Sequence, residues 1–182
     1  MLNKLGLSSR IQIARAWPDP RSLPLRGMDY DVRSTTVGER PTAVVVATTT
    51  WERFPTEWKG MLDQVWAFLR TTDLRLADGH NVMLYRDDVP NVEVGVEVTG
   101  TFEPSGRVVP SALPAGTVAT TVHRGSYDGL DAAHHAVLDW CAARDLRTAG
   151  PRWEVYGHWR DDPAQLETTI HWLLVQSTHA AT

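Results

Sequence analysis

Two stretches of the sequence run through the same series of patterns, and this internal repeat limits the fold more than any other feature. The first opens at residues 42–50 with a β-branched run that predicts a buried strand. Pro55-Thr56-Glu57 then marks a helix start with Thr56 as the expected N-cap. Behind it, Trp58, Met61, Leu62, Val65, Trp66 and Leu69 fall on one apolar helical stripe. Two strands follow, at 82–86 and 92–98. In the latter Val92, Val94, Val96 and Val98 share one face while Glu93, Gly95 and Glu97 take the other. A linker at 100–116, rich in Gly, Pro and Ser, leads into the second stretch. There a strand at 117–123 turns through Gly125-Ser126-Tyr127 into a helix bearing Leu130, Ala133, His134, Val137, Trp140 and Cys141, with Ser126 as its expected cap. Strands at 153–159 and 168–175 complete it. Val65 aligns with Val137 and Tyr85 with Tyr156, at separations of 72 and 71 residues.

Neither unit covers both sides of its own sheet, so the two must pool their strands. The expectation is an α+β fold: duplicated strand–helix–strand–strand units forming one antiparallel sheet, two long helices on one face, and a ligand pocket at the pseudo-two-fold join. The first unit spans about 36–99 and the second about 117–176, within a domain covering 28–182.

Charge divides the chain. Residues 1–27 hold Lys4, Arg10, Arg15, Arg21 and Arg26 against Asp19, a net of +4; the whole chain is −4, so residues 28–182 carry −8. An acidic body argues against a nucleic-acid surface, where Lys and Arg dominate. The basic leader lacks the apolar segment of a secretory signal. It reads either as a mobile tail or as an over-called start with Met28 the true initiator. No apolar run is longer than that at residues 43–47, which is strand length and far below a membrane span, so no membrane partner is expected. A single cysteine, Cys141, excludes an internal disulfide and fits a reducing, cytoplasmic setting.

The residues from Thr120 to Leu130, then Trp140-Cys141, Gly150-Pro-Arg-Trp-Glu-Val-Tyr156 and Asp162-Pro163, resemble the second half of a GyrI-like domain, the effector-binding domain of several bacterial transcription activators. Asn81-Val-Met-Leu-Tyr85 and Val92-Glu-Val-Gly-Val96 are similar to its first half. The resemblance implies the duplicated fold derived above. It also implies a pocket between the halves for a bulky, lipophilic, often cationic aromatic compound. With 27 leader residues too few for a helix-turn-helix module, a stand-alone member is expected.

The same resemblance implies a pocket carboxylate at Glu154. By alternation Glu154, Tyr156 and His158 share a face, with Trp153 and Val155 on the other. A carboxylate among aromatic faces anchors a cation or serves as a general acid. The last strand of the family usually brings a second acid where this chain has Thr169. That substitution makes a strongly dicationic ligand less expected and leaves Thr169 and His171 as hydrogen-bonding groups beside Glu154. Of the eight tryptophans, the resemblance implies that Trp51 and Trp66, together with Tyr127, approach the pocket, where their rings would stack on the ligand. Trp58 and Trp140 read as helix-face packing, and Trp153 and Trp172 as packing on the face opposite Glu154. Adjacent His134-His135 do not form a metal pair, there is no Gly-rich phosphate loop, and no cofactor is expected. Two functions follow. One is a binding module, monomeric or weakly dimeric, that sequesters or senses a lipophilic aromatic compound, neutral or cationic, with Glu154 as the charge anchor. The other is a hydrolase that uses Glu154 to open the strained cyclopropane of a DNA-alkylating natural product, conferring self-resistance.

Overall fold

A computed structural model describes residues 29–176; the basic leader at 1–27 lies outside the described residues. Eight strands and two long helices follow in the order β1 (Arg33–Val37), β2 (Arg40–Thr48), α1 (Phe54–Leu69), β3 (Arg75–Tyr85), β4 (Asn91–Thr99), β5 (Val108–Leu113), β6 (Gly116–Arg124), α2 (Leu130–Ala142), β7 (Thr148–Tyr156) and β8 (Glu167–Leu174). The strands form one antiparallel sheet in the order β1-β6-β8-β7-β3-β4-β2-β5. The fold is α+β, and β7 and β3 meet at its centre.

Two strands lie where the sequence pattern gave no strand. β1 is short and its residues are mostly exposed, so it shows no apolar alternation; it pairs β6 along one edge. β5 falls inside the expected linker and pairs β2 along the other edge. Its Pro110, a residue that breaks inner strands, is tolerated at an edge. The starts of the helices also differ. Thr56 lies inside the first turn of α1, where its hydroxyl donates to the Arg53 carbonyl at 2.8 Å, and Arg53 stands at the cap. Ser126 makes no side-chain cap; its carbonyl accepts from His123 Nε2 at 2.7 Å, and the His123 Nδ1 accepts from the Tyr30 hydroxyl at 2.9 Å.

The sheet is strongly curled, and its connections require it. β1 and β2 stand six strand positions apart, as do β5 and β6, which in a flat sheet is roughly 29 Å. Yet Val37 joins Arg40, and Leu113 joins Gly116, through two intervening residues, a reach of at most about 11 Å. The two edges must therefore converge. Their inner side buries Val82, Leu84, Leu113, Val118, Trp153 and Val155. Gly95 permits the bend between β4 and β2: a Cβ there would lie 1.9 Å from the Ala43 carbonyl oxygen.

Both helices pack on the other face, over one continuous core. α1 buries Phe54, Trp58, Met61, Leu62, Val65 and Leu69. α2 buries Leu130, Ala133, His134, Val137 and Cys141. Trp140 is half-buried, with the Arg144 guanidinium stacked 4.2 Å from its ring centre. Burial of apolar area on this scale is the main favourable term for the fold.

Candidate functional site

β7 is the central strand of the helix-covered face, and alternation aims Arg152, Glu154 and Tyr156 at the helices. Its neighbours are in register: Tyr85 and Trp172 flank Arg152, Met83 and Ile170 flank Glu154, and Asn81 and Thr168 flank Tyr156. Three strands thus lay a block of nine side chains under α1 and α2, with Glu154 in the middle.

Glu154 is 3% exposed, and three donors converge on it. Tyr156 donates its hydroxyl to Oε2 at 2.5 Å, and Tyr85 reaches the same oxygen at 3.3 Å. His134, from α2, meets Oε1 through Nε2 at 2.7 Å. The other His134 nitrogen, Nδ1, accepts from the Trp172 indole N–H at 3.0 Å. An indole N–H only donates, so Nδ1 is bare and the His134 proton sits on Nε2, pointing at Glu154. Buried charges persist when hydrogen-bonded in this way. Burial, and then the Glu154 charge, hold the hydroxyls of Tyr85 and Tyr156 well above the ordinary phenol pKa, so both keep their protons. Asp131, one turn before His134, is half-buried, and burial pushes its carboxyl up to about 6.

Aromatic rings surround this carboxylate. Trp51 and Phe54 pack on Tyr85, with ring centres 5.7 and 5.8 Å away. Tyr127 meets Tyr156 edge-on at 5.6 Å. Trp66 is half-buried and donates Nε1 to Asn81 Oδ1 at 2.9 Å, beside Tyr156 in the register. The Arg152 guanidinium, 1% exposed as a residue, lies 5.1 Å from the Trp172 ring and 5.7 Å from both Trp51 and Tyr85.

The structure therefore brings Trp51, Trp66, Tyr127, Glu154 and Tyr156 to one face of the sheet. Thr169 and His171 are a correction. Glu154 pairs with Ile170, so Thr169 and His171 stand on the opposite face, across from Val155 and Trp153. His171 stacks on Trp153 at 5.1 Å, and Thr169 lines a separate groove of about 610 Å³ with His80, Arg124, His158 and Arg160. Trp172 is the matching correction: it lies on the face of Glu154 and holds His134. His134, Tyr85 and Arg152 escaped the sequence reading. Arg152 was legible, since it sits two residues from Glu154 on one strand; His134 was visible only as a buried position on α2.

Among the described residues no three His, Cys, Asp or Glu side chains are placed to hold a metal ion, and no helix is long and apolar enough to cross a membrane.

Residues 87–174 match the family model of the GyrI-like small molecule binding domain. The chain contains a GyrI-like domain. No curated protein matches the chain. Among solved structures, the GyrI-like domain here is similar to the EcmrR C-terminal domain, with a TM-score of 0.71 at 18% identity over 82% of this chain and 100% of that one. It is also similar to SAV2435, solved bound to tetraphenylphosphonium, with a TM-score of 0.59 at 12% identity over 81% of this chain and 94% of that one. A hydrolase from Listeria innocua overlays with a TM-score of 0.51 at 9% identity, over 79% of this chain and 91% of that one. These likenesses are of fold.

Proposed function

We propose that this GyrI-like domain binds a lipophilic aromatic small molecule between α1, α2 and the centre of the sheet, and that it sequesters or senses that compound. The observation that supports this reading is a buried carboxylate, Glu154, set among the rings of Trp51, Tyr85, Tyr127, Tyr156 and Trp172. A pocket of apolar rings with a few fixed polar groups is the usual build of a small-molecule site. Glu154 holds the polar groups in place; the rings supply stacking area. The strand order on either side of the centre, β6-β8-β7 against β3-β4-β2, supports two related units with the site at their join. Entry of a ligand parts Trp51 and the first turn of α1 from Tyr85, because Trp51 is the half-buried ring of that set. In this reading the protein acts as a monomer or weak dimer in the cytoplasm.

A hydrolase working from the same chamber is the second reading, supported by the His134–Glu154 pair at 2.7 Å beside the Tyr156 hydroxyl. Such a carboxylate accepts a proton from water as the water oxygen bonds to a ring carbon, while the phenol protonates the conjugated substrate oxygen that takes the electron pair of the broken ring C–C bond. The balance is one water added per ring opened.

Tryptophan fluorescence titration against lipophilic aromatic compounds, with mass spectrometry on each mixture, tests both. Saturable quenching at one ligand per chain, weakened by Glu154→Gln with the ligand mass unchanged, supports the binding module. Catalytic gain of one water per ligand, lost in Glu154→Gln, supports the hydrolase. No quenching by any compound overturns both.

A further inference from the structure

Arg152 is a buried cation on the same face of the sheet as Glu154. Its guanidinium lies among three aromatic rings, those of Trp172, Trp51 and Tyr85, at 5.1 to 5.7 Å. That is the arrangement in which aromatic cages hold a cationic ligand, and here the chain's own cation fills it. Glu154 keeps its charge, but His134, Tyr85 and Tyr156 already donate to its two oxygens, so an entering cation contacts it only by displacing one of them. A second cation entering beside Arg152 meets a like charge in a water-poor setting, which disfavours it.

The ion-pair partner of Arg152 has a different character. Asp88 Oδ1 approaches Arg152 Nη2 at 2.8 Å, yet the Asp88 side chain is 80% exposed. It reaches in from the loop between β3 and β4. That loop is held by its neighbour: Asp87 accepts from the Val89 and Asn91 amides at 3.0 and 2.9 Å and from the Asn91 side chain. Asp88 is therefore a solvent-side carboxylate on a buried arginine, attached to a loop that does not depend on it. Only the Asp88 side of the pair faces solvent, so the carboxylate is the partner that can leave to water while the buried guanidinium stays in place. An arginine fork is shaped for a carboxylate with two parallel hydrogen bonds.

We propose that the ligands of this site are aromatic compounds bearing a carboxylate, that Arg152 anchors them, and that Asp88 occupies the carboxylate position until one arrives. This rests on the reading that the chamber around Glu154 is the ligand site. The ligand's ring lies against Trp51, the half-buried wall, and its carboxylate replaces that of Asp88 on the guanidinium.

Three probes of one shape test it: 2-naphthoate, 2-naphthamide and 2-naphthylmethylammonium, titrated by tryptophan fluorescence and calorimetry. The expected result is naphthoate binding at least tenfold tighter than the ammonium, with the amide between. Asp88→Asn removes the competing carboxylate and is expected to tighten naphthoate several-fold while leaving the amide unchanged. Arg152→Met is expected to abolish the preference for the acid. Binding of the amide with no preference for naphthoate, tighter binding of the ammonium, or an Asp88→Asn variant indifferent to naphthoate overturns the proposal and leaves the chamber as a ligand site. Failure of all three probes to bind overturns the proposal together with the reading of the chamber. Asp88→Asn keeps the size of the side chain and an acceptor oxygen toward Arg152 at an exposed position, and its melting curve checks the fold, so the test stands even if Arg152→Met does not fold.

Discussion

The Trp172 indole N–H donates to His134 Nδ1 at 3.0 Å, and this contact decides which nitrogen of His134 holds the proton. With Nδ1 accepting, Nε2–H is left to donate to Glu154. The expected 15N spectrum at neutral pH is that of the Nε2–H tautomer. In Trp172→Phe the ring volume is largely kept but the donor is gone. The expected cost is about 1–3 kcal/mol for a buried acceptor left unmatched, with a mixture of tautomers in the same spectrum. An unchanged spectrum in the variant refutes the role given to Trp172.

The two phenols on Glu154 differ in reach, 2.5 Å from Tyr156 and 3.3 Å from Tyr85. Hydrogen bonds to charged groups are the stronger class, and short ones more so. Tyr156→Phe is expected to cost about 2 kcal/mol and Tyr85→Phe about 1 kcal/mol. Chemical denaturation of both variants gives the order; the reverse order argues against Tyr156 as the principal donor.

Acid stability has two opposing contributors. Burial, and then the Arg40 guanidinium, push His171 down to about 4 from its ordinary 6.5. The unfolded chain takes up this proton near pH 6.5 and the folded chain only near 4. Between those values the unfolded state binds more protons, so stability is lost as pH falls, by about 3 kcal/mol across the window. Asp131 works the other way. Its carboxyl binds a proton at about 6 when folded and near 3.8 when unfolded, so stability rises as pH falls through that interval. Asp131 is half-exposed, and screening reduces the effect to about 1 kcal/mol. Melting curves between pH 7 and pH 4 are expected to fall in the wild type, flatten in His171→Gln, and steepen in Asp131→Asn.

Gly95 has no room for a side chain, since its Cβ would meet the Ala43 carbonyl oxygen of the adjacent strand at 1.9 Å. Both partners are backbone in the middle of the sheet, so neither yields cheaply. Gly95→Ala is expected to cost about 3 kcal/mol or more, read as loss of soluble folded protein or a large drop in melting temperature.

Thr169 lies across the sheet from Glu154. Thr169→Ala is accordingly expected to leave the affinity of any ligand of the Glu154 chamber unchanged within about twofold, because an exchange on the far face removes no contact with it. A large loss of affinity places the ligand on the other face.

The sequence shows how each strand alternates but not how strands are paired. Glu154 and Tyr156 were legible together because both lie on one strand two residues apart. Trp51, Trp66 and Tyr127 were placed beside Glu154 by the layout of the family the chain resembles, and all three lie on its face of the sheet. Thr169 and His171 were misassigned because their face depends on the β7–β8 register, and a slip of one residue exchanges the two faces. His134 was hidden for a related reason: its partners, Glu154 and Trp172, lie 20 and 38 residues away. The edge strand β1 was missed because its exposed residues show no apolar alternation, and β5 because Pro110 interrupts it within a stretch rich in Gly, Pro and Ser.

The curl of the sheet also bears on how the chain reaches this state. β1 comes before everything in the first half, yet it hydrogen-bonds to β6, with Arg33 opposite Thr120. The first half therefore cannot finish its own edge. Contacts so far apart in sequence raise the contact order, and high contact order slows folding. The structure implies a late, single cooperative closure. It also implies that a cut in the segment between β4 and β5 yields two fragments that are incompletely folded apart and restore the sheet when mixed.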